Sequence, residues 1–533
     1  MASEKIKITA QSSKAQLPND TDTLKDMVLT LLGQIDDLNG QLYYLKRQLF
    51  GKKSEKLNPN QRLLFEQLYE ETKAKIEQQQ EKSETKKSPR KRKRSNHKGR
   101  NPLPEDLDRK IIEIEPSEED KVCDHCGNDK SRIGEEVTEK LEYKPASFYV
   151  SRYVRHKYAC KECQNNISIG QLPPMIIDKG IPSESVMAHV ITSKFADHLP
   201  FNRQVGIFRR HGVYVTVSNF CDWTGIGSDM LVPVVKRMRE LIRRSPIINT
   251  DDTKIPIKSK KRKGSTYNGY LWVYLDNKGN VVFDFTPTRS REGPINFIGK
   301  DYSGYVQADA YSGYDELFRI SDAIEVGCNS HARRKFEYAL DSDPVRASRM
   351  LVLWGRLYEI EKRAREEKYS DEQLLSARQT EALPIFDEIW SALNEYKDQV
   401  LPKSPMGKAI TYTFNQWDAL VRYTSDPMLS IDNNISERML RMAVLGRKNY
   451  LFAGSEAGAE RAAIFYSLVA SCKLNGHDPF AYFNDVLKKV TTWPASRIDE
   501  LLPCNWQPPQ SDKADITAAK DHSAADKQTS KVA

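Results

Sequence analysis

Near its start the chain repeats apolar positions in steps of four and three without a miss: Leu24, Val28, Leu31, Ile35, Leu38, Leu42, Leu45 and Leu49. Leucine fills every d position of this heptad, with Val28, Ile35, Leu42 and Leu49 at a, a pattern that favours two parallel strands. Residues 21–57 are therefore predicted to form a leucine-zipper-like coiled coil that makes the protein a homodimer or higher oligomer. The apolar pattern then fades, and residues 58–100 read as a disordered basic linker built of Gln, Glu, Lys and Arg. Within 101–170, Val137 to Leu141 and Phe148 to Tyr158 alternate as a hairpin around Pro145. Residues 171–241 are helical. Phe201 to Arg210 predicts one helix, His211-Gly212-Val213 a turn, and Thr216 to Trp223 a second helix, in the order of a helix-turn-helix.

From Ile247 the period becomes two. Pro246 to Thr253 is a short β-branched run ending in two acids. Tyr270 to Leu275 and Val281 to Phe285 are joined by the hairpin turn Asp276 to Asn280. A further strand, from Tyr305, ends on Asp309 and turns at Ser312-Gly313, so three antiparallel strands precede a fourth. Ala339 to Tyr423 is helical and reads as an insertion, at about 340–427, in a core spanning 242–475. After it, Asp432 is predicted to cap a helix with Ile435, Met439 and Met442 as its apolar face and Gly446 as its stop. Glu456 to Leu474 reads as an amphipathic helix, and Asp478-Pro479 caps the next, in a C-terminal helical segment 476–507. Residues 508–533 form a polar tail expected to be disordered. The fold class is multidomain α+β.

Composition narrows the partners. A chain of 533 residues exceeds one core, and 39% hydrophobic with 29% charged residues is that of a water-soluble protein. No apolar run reaches membrane-spanning length, and Met1 to Lys5 opens no signal core, so no membrane partner and a cytoplasmic location are expected. The net charge of +9 is locally concentrated, which suits a polyanion. Candidate DNA contacts are Arg90, Lys91, Arg92, Lys93 and Arg94 in the linker, and Arg203, Arg209 and Arg210 around the helix-turn-helix. Lys260, Lys261, Arg262 and Lys263 beside the first acids join them, with Arg447 and Lys448 after the last.

Of eight cysteines, four are scattered singly. The others form two Cys-x-x-Cys knuckles, Cys123 with Cys126 and Cys160 with Cys163, whose thiolates together make a tetrahedral shell for a structural Zn²⁺. Elsewhere, Cys328 and His331 lack a third group to orient the imidazole, which argues against a thiol nucleophile. The carboxylates say more. Taken singly, Asp251 or Asp309 would cap a turn, and Glu437 would pair with Arg441 one helical turn on. Taken together, Asp251, Asp309 and Glu437 come from a strand, a strand and a helix and could hold two hard divalent cations about 3.5–4 Å apart.

Several blocks resemble the transposases of the insertion sequence 66 family: Asn249 to Thr253, Gln307 to Asp315, Cys328 to Phe336, Ser404 to Asn434, Glu437 to Arg441, and Leu445 to Lys473. Phe50 to Leu57 and the Cys123–Cys163 block are similar to it as well. The resemblance implies an Asp-Asp-Glu active site in a ribonuclease H-like α/β catalytic core, with Mg²⁺ or Mn²⁺ held by Asp251, Asp309 and Glu437. It implies double-stranded DNA as partner, both the element's terminal repeats and the target, and small accessory proteins of the element. It sets His331 and Arg333 near the scissile phosphate, and Arg438 and Arg441 crowd the same region. One departure stands out. The family usually has Asp-Glu-Thr where this chain has Asp251-Asp252-Thr253; position favours Asp251, but composition leaves Asp252 open. Two other functions share these features: a DNA-binding regulator with a decayed core, and a structure-specific nuclease that cuts without joining.

Overall fold

A computed structural model describes residues 147–158, 168–169, 171–177, 180–259 and 264–509. The predicted coiled coil, the basic linker with Arg90 to Arg94, the strand Val137 to Leu141, the four knuckle cysteines, Lys260 to Lys263 and the tail from 510 lie outside these residues. The chain divides into two compact units, one of residues 74–154 and one of the remainder. In the first, residues 147–154 carry no strand. In the second, only Lys157–Tyr158 of the expected hairpin arm is paired, antiparallel to Ser168–Ile169.

The change of period at Ile247 opens a five-stranded sheet: β1 (Ile247–Lys258), β2 (Thr266–Leu275), β3 (Val281–Thr286), β4 (Tyr305–Gln307) and β5 (Ile324–Val326). Its spatial order is β3-β2-β1-β4-β5. The first three strands pair antiparallel, and β4 and β5 continue in parallel. In the β2–β3 turn, Asp276 Oδ1 accepts the amides of Lys278 and Asn280, each at 2.9 Å, and Gly279 takes φ 89°, a conformation that favours glycine. The first strand does not end at its acids. It pairs with β2 out to Lys258, whereas β4 pairs with it only from Ile247 to Asn249. Its far end on that edge is met by Ala453 in a bridge at Ile257. Asp251 and Asp252 thus lie mid-strand, where one edge of β1 has just lost its partner.

Helices α1 (Glu184–Phe195), α2 (Phe201–Arg210) and α3 (Val217–Arg243) precede the sheet. Thr216 and Asn219 form a reciprocal capping box that starts α3, and Phe208 meets Phe220 edge-on across the turn, ring centroids 5.0 Å apart. The second helix does not stop at Trp223. Its later residues Leu231, Val234, Met238 and Ile242 are fully buried, so it runs on as a core helix. Helix α4 (Glu292–Ile298) follows β3, α5 (Asp315–Ile320) follows β4, and α6 (Asn329–Ala339) follows β5.

Five helices separate α6 from the Glu437 region: α7 (Pro344–Glu366), α8 (Asp371–Ala377), α9 (Leu383–Tyr396), α10 (Pro405–Asn415) and α11 (Trp417–Val421). Their core of Trp354, Phe386 and Tyr423 is continuous with Ile247, Val326 and Phe336 of the sheet region. Trp417 packs against it, its ring 5.7 Å from Phe386, as a core tryptophan should. A π-helical turn, Arg378–Ala382, joins α8 to α9. Its Arg378 is 2% exposed, forks onto Glu361 at 2.8 and 2.9 Å, and donates to the carbonyls of Tyr423, Asp426 and Leu429 at 2.9 Å each. The pair is well satisfied, and it fixes the loop leading into the last acid.

Three helices complete the unit: α12 (Asn434–Tyr450), α13 (Glu456–Leu474) and α14 (Pro479–Lys489). Asp478 caps α14 as expected, accepting the amides of Phe480 and Ala481. The amphipathic expectation for α13 does not hold, because residues Phe465 to Cys472 are all buried. It lies between β3 and the helices α1, α3 and α14. Ser467 and Ser471, one turn apart and fully buried, accept the amides of Phe283 and Val281 at 2.8 and 2.9 Å, so the helix satisfies the exposed edge of the sheet. Among the described residues, no helix is long and apolar enough to cross a membrane.

Candidate active site

Each candidate acid follows, by one local repeat, an amide side chain in a single buried network. Asn249 precedes Asp251 by two residues on β1, Gln307 precedes Asp309 by two at the end of β4, and Asn433 precedes Glu437 by four at the start of α12. On β1 that spacing keeps Asn249 and Asp251 on one face, whereas Asp309 lies two residues past the end of β4 and Glu437 one turn into α12 from Asn433 at its cap position. Asn249, Gln307 and Asn433 are all buried. Asn249 Nδ2 donates to Gln307 Oε1 at 3.0 Å and to Asn433 Oδ1 at 3.1 Å. Asn433 Nδ2 donates to the Thr250 carbonyl at 2.8 Å, and Gln307 Nε2 to the Ser430 carbonyl at 2.7 Å. Ser436 Oγ donates to Asn433 Oδ1 at 2.8 Å, and the Asn433 amide donates to Cys328 Sγ at 3.2 Å. The network ties β1, β4, α6 and α12 together one repeat beneath the carboxylates.

This use of Asn433 alters the start of α12. Asp432 accepts from the Asn434 amide at 3.1 Å and from the Tyr358 hydroxyl at 3.0 Å, yet the helix begins one residue later than expected, with Asn433 at the cap position. Asn433 makes no side-chain cap, because its amide serves the network. The buried face is Ser436, Leu440, Ala443 and Gly446, one position on from Ile435, Met439 and Met442, which are half-buried. Gly446 is no stop. The helix continues to Tyr450 and ends at Leu451, φ 64°. A Cβ at Gly446 would collide with the hydroxyls of Tyr450 and Tyr466, so glycine there permits close packing of α12 on α13. Gly446→Ala is expected to destabilise the protein by about 1–3 kcal/mol, read as a lower midpoint of chemical denaturation.

The acids feel one another. Burial first, then the charge of Asp309, and after it Asp252 and Glu437, push the Asp251 carboxyl up to about 8. Asp309 Oδ1 is buried with no hydrogen-bond partner among the described residues. Glu437 faces α6, with Oε1 3.5 Å from His331 Nε2 and Oε2 3.5 Å from Arg334 Nη2. His331 and Arg334 stand three apart on that helix and share a face, whereas Arg333 projects elsewhere, its charge felt at Tyr358. Burial and the neighbouring Arg334 lower the His331 pKa, which leaves the imidazole neutral near pH 7. Glu437 pairs with these two groups and, among the described residues, not with Arg441; Arg438 and Arg441 are exposed. Asp252 belongs to the other side of β1. Its neighbour Thr250 bonds the Tyr314 hydroxyl at 3.2 Å, and Asp252 itself is bound by Arg289. Cys328 is 1% exposed, and burial pushes its thiol up to about 12, which excludes it as a nucleophile at neutral pH.

The basic candidates separate into committed and open groups. Arg447 is turned onto β1, donating to the Lys254 carbonyl and to Thr253 Oγ1. Arg203 reaches Asn449 Oδ1 at 3.4 Å. Arg209, Arg210 and Lys448 are exposed. Among the described residues, no three His, Cys, Asp or Glu side chains stand close enough together to hold a metal ion as they are. The chemistry of Asp251, Asp309 and Glu437 nevertheless fits a hard divalent cation: an all-oxygen set, an orphaned Asp309 oxygen, and an Asp251 charge that its neighbours oppose.

The family model described as Transposase IS66 family matches residues 179–461, more than half of the chain. This chain belongs to the IS66 transposase family. The zinc-finger binding domain of transposase IS66 matches residues 120–164, a span that holds all four knuckle cysteines. The IS66 C-terminal element matches 467–504, and Transposase C of IS166 homeodomain matches 37–112, taking in the later heptads and the basic run. Among similar proteins are three from Sinorhizobium fredii. Uncharacterized protein y4jD is 31% identical over 520 residues, covering 94% of this chain and 99% of that protein. Uncharacterized protein y4hP is 30% identical with 76% and 77% covered, and uncharacterized protein y4qI is 30% identical with 72% and 74% covered. The protein is thus a DNA-binding transposase of an insertion sequence, with a zinc-finger domain ahead of its transposase domain.

In this IS66 transposase, sequence reasoning missed the amide network, Arg334 and Arg289. The first could have been suspected from Asn249, Gln307 and Asn433, each a polar residue one repeat ahead of an acid. Arg334 required knowing which face of α6 meets α12. Arg289 lies in a loop with no periodic signal.

Proposed function

We propose that this transposase hydrolyses phosphodiester bonds at the ends of its element and joins the freed 3′ ends to target DNA, with Asp251, Asp309 and Glu437 as its reaction centre. The observation that carries the reading is the common placement of these acids, one repeat beyond a single amide network, at the point where β1 loses its β4 partner. A sheet of three antiparallel strands extended by two parallel ones, in the order β3-β2-β1-β4-β5, supports a ribonuclease H-like core. Asp251 is favoured over Asp252 because Glu437 acts on Asp251, while Arg289 occupies Asp252.

The three acids would hold two divalent cations, Mg²⁺ or Mn²⁺. Bound there, the cations would supply activation of water or a 3′-hydroxyl and neutralisation of the leaving oxygen. The chain's residues do the rest. The amide network fixes the chain segments that carry the carboxylates, and Arg334 steadies Glu437. His331 presents a neutral imidazole beside Glu437. Arg209, Arg210 and Lys448 offer exposed charge to the DNA backbone, as would the basic residues 90–94 and 260–263. Cys123, Cys126, Cys160 and Cys163 would hold one structural zinc ion, and the heptads at 21–57 would join protomers. The element's accessory proteins remain further proposed partners.

The test uses full-length protein and duplex DNA carrying the ends of the element that encodes it. Nicks with 3′-hydroxyl ends and joined products are expected in Mg²⁺ or Mn²⁺ and not in EDTA. Binding without cleavage would leave a DNA-binding regulator, and cleavage without joining would leave a nuclease.

A further inference from the structure

Arg289 lies between β3 and α4, outside every motif considered above, yet its guanidinium lies among the acids. Nε donates to both Asp252 oxygens at 2.9 and 3.0 Å, and Nη2 donates to Oδ1 at 2.6 Å. Nη2 also stands 4.0 Å from Asp309 Oδ2. The Tyr311 ring lies against the guanidinium, its centroid 3.7 Å from the central carbon, and the Tyr311 hydroxyl donates to the Arg289 carbonyl at 2.5 Å. The cation is therefore gripped at side chain and main chain. Asp252 is shut away, with 5% of its side chain exposed, while 36% of Arg289 remains open.

Two features of this arrangement point to an anionic ligand. Asp252 uses only the Nε and Nη2 side of the fork, so Nη1, with two N–H donors, has no partner among the described residues. The charges of Asp251, Asp309 and Glu437 also repel a DNA phosphate unless a cation meets it. Arg334 stands at the Glu437 end, and Arg289 is the corresponding cation at the Asp309 end. A planar guanidinium with a free edge suits a phosphate oxygen. We propose that Arg289 contacts a non-bridging oxygen of the DNA phosphate at, or next to, the scissile bond, with Asp252 and Tyr311 as positioning residues. This rests on the reading of the three acids as the reaction centre.

The experiment measures DNA affinity by fluorescence anisotropy with full-length protein in Ca²⁺. The probes are duplexes from the element's end, each carrying one neutral methylphosphonate, scanned along the strand. Arg289→Ala is expected to weaken binding of unmodified duplex about tenfold and to lower the salt slope by about one. At one phosphate, the methylphosphonate should cost the wild type a similar factor and cost Arg289→Ala nothing more. Arg289→Lys should recover part of the affinity. Asp252→Asn/Arg289→Ala, which leaves no buried charge unpaired, should match Arg289→Ala if the fold is intact. Losses that multiply at every position, or an unchanged affinity and salt slope, would overturn the proposal. Because binding rather than nicking is read, a protein that never cut DNA would defeat the catalytic reading and still return an answer here.

Discussion

Asp251→Asn, Asp309→Asn and Glu437→Gln should each lower DNA cleavage and joining by about 10³-fold or more, while DNA affinity in Ca²⁺ stays within a few-fold of wild type. Each change removes a charge and a bridging oxygen from a set of three, and stabilisation of transition-state charge is the kind of contribution whose loss costs this much. Asp252→Asn should lose about tenfold at most, since an amide still accepts one bond from Arg289. An active Asp251→Asn beside a dead Asp252→Asn would reverse the assignment of the strand's two faces. A second readout needs no chemistry. The Asp251 carboxyl is pushed up to about 8 in the folded chain, so folding binds its proton more tightly than the unfolded chain does. The ionised form then opposes folding, and this contribution makes the protein less stable as pH rises from about 4 to about 8. Without divalent cations at pH 8, Asp251→Asn should therefore melt higher than wild type, by the usual trade of stability for function, and should lose the stabilisation that Mn²⁺ gives the wild type.

Asn433→Leu should destabilise the protein by about 3–5 kcal/mol and raise the Mn²⁺ concentration needed for half-maximal cleavage by about tenfold or more. The side chain is nearly the size of the one it replaces, so the loss is one of hydrogen bonds rather than volume. It strands the Thr250 carbonyl and Ser436 Oγ in a buried place and leaves Asn249 Nδ2 with Gln307 Oε1 alone, and each unsatisfied group costs about 1–3 kcal/mol. The Mn²⁺ midpoint separates positioning from bulk stability, because a destabilised but correctly arranged site would lose folded protein without shifting that midpoint. Asn433→Asp, which keeps an acceptor for Asn249 and Ser436 while losing the donor to Thr250, should fall between.

The strands and their hairpin were legible because alternation and the Asp276–Asn280 turn are local signals, and Asp478 was legible as a cap for the same reason. The candidate acids are singled out by residue type at strand ends and on a helix, although the first strand does not end there. Its extent depends on β2 and Ala453, partners far away in sequence. The cap at Asp432 shifted to Asn433, and the apolar face of α12 moved by one position, because a buried polar network, not hydrophobic period, sets that helix's rotation. Trp223 looked like the end of a helix because the apolar residues after it serve a core contributed by α13 and the sheet. Arg289 reaches Asp252 only through the fold of a loop, which no spacing along the chain records.

The most direct measurement is anomalous diffraction from crystals of the full-length protein soaked in Mn²⁺. The expected result is anomalous density between Asp251, Asp309 and Glu437, absent from Asp251→Asn crystals treated alike. Mn²⁺ bound elsewhere, with the three carboxylates left without metal at saturating concentration, would contradict the assignment of these residues as the reaction centre.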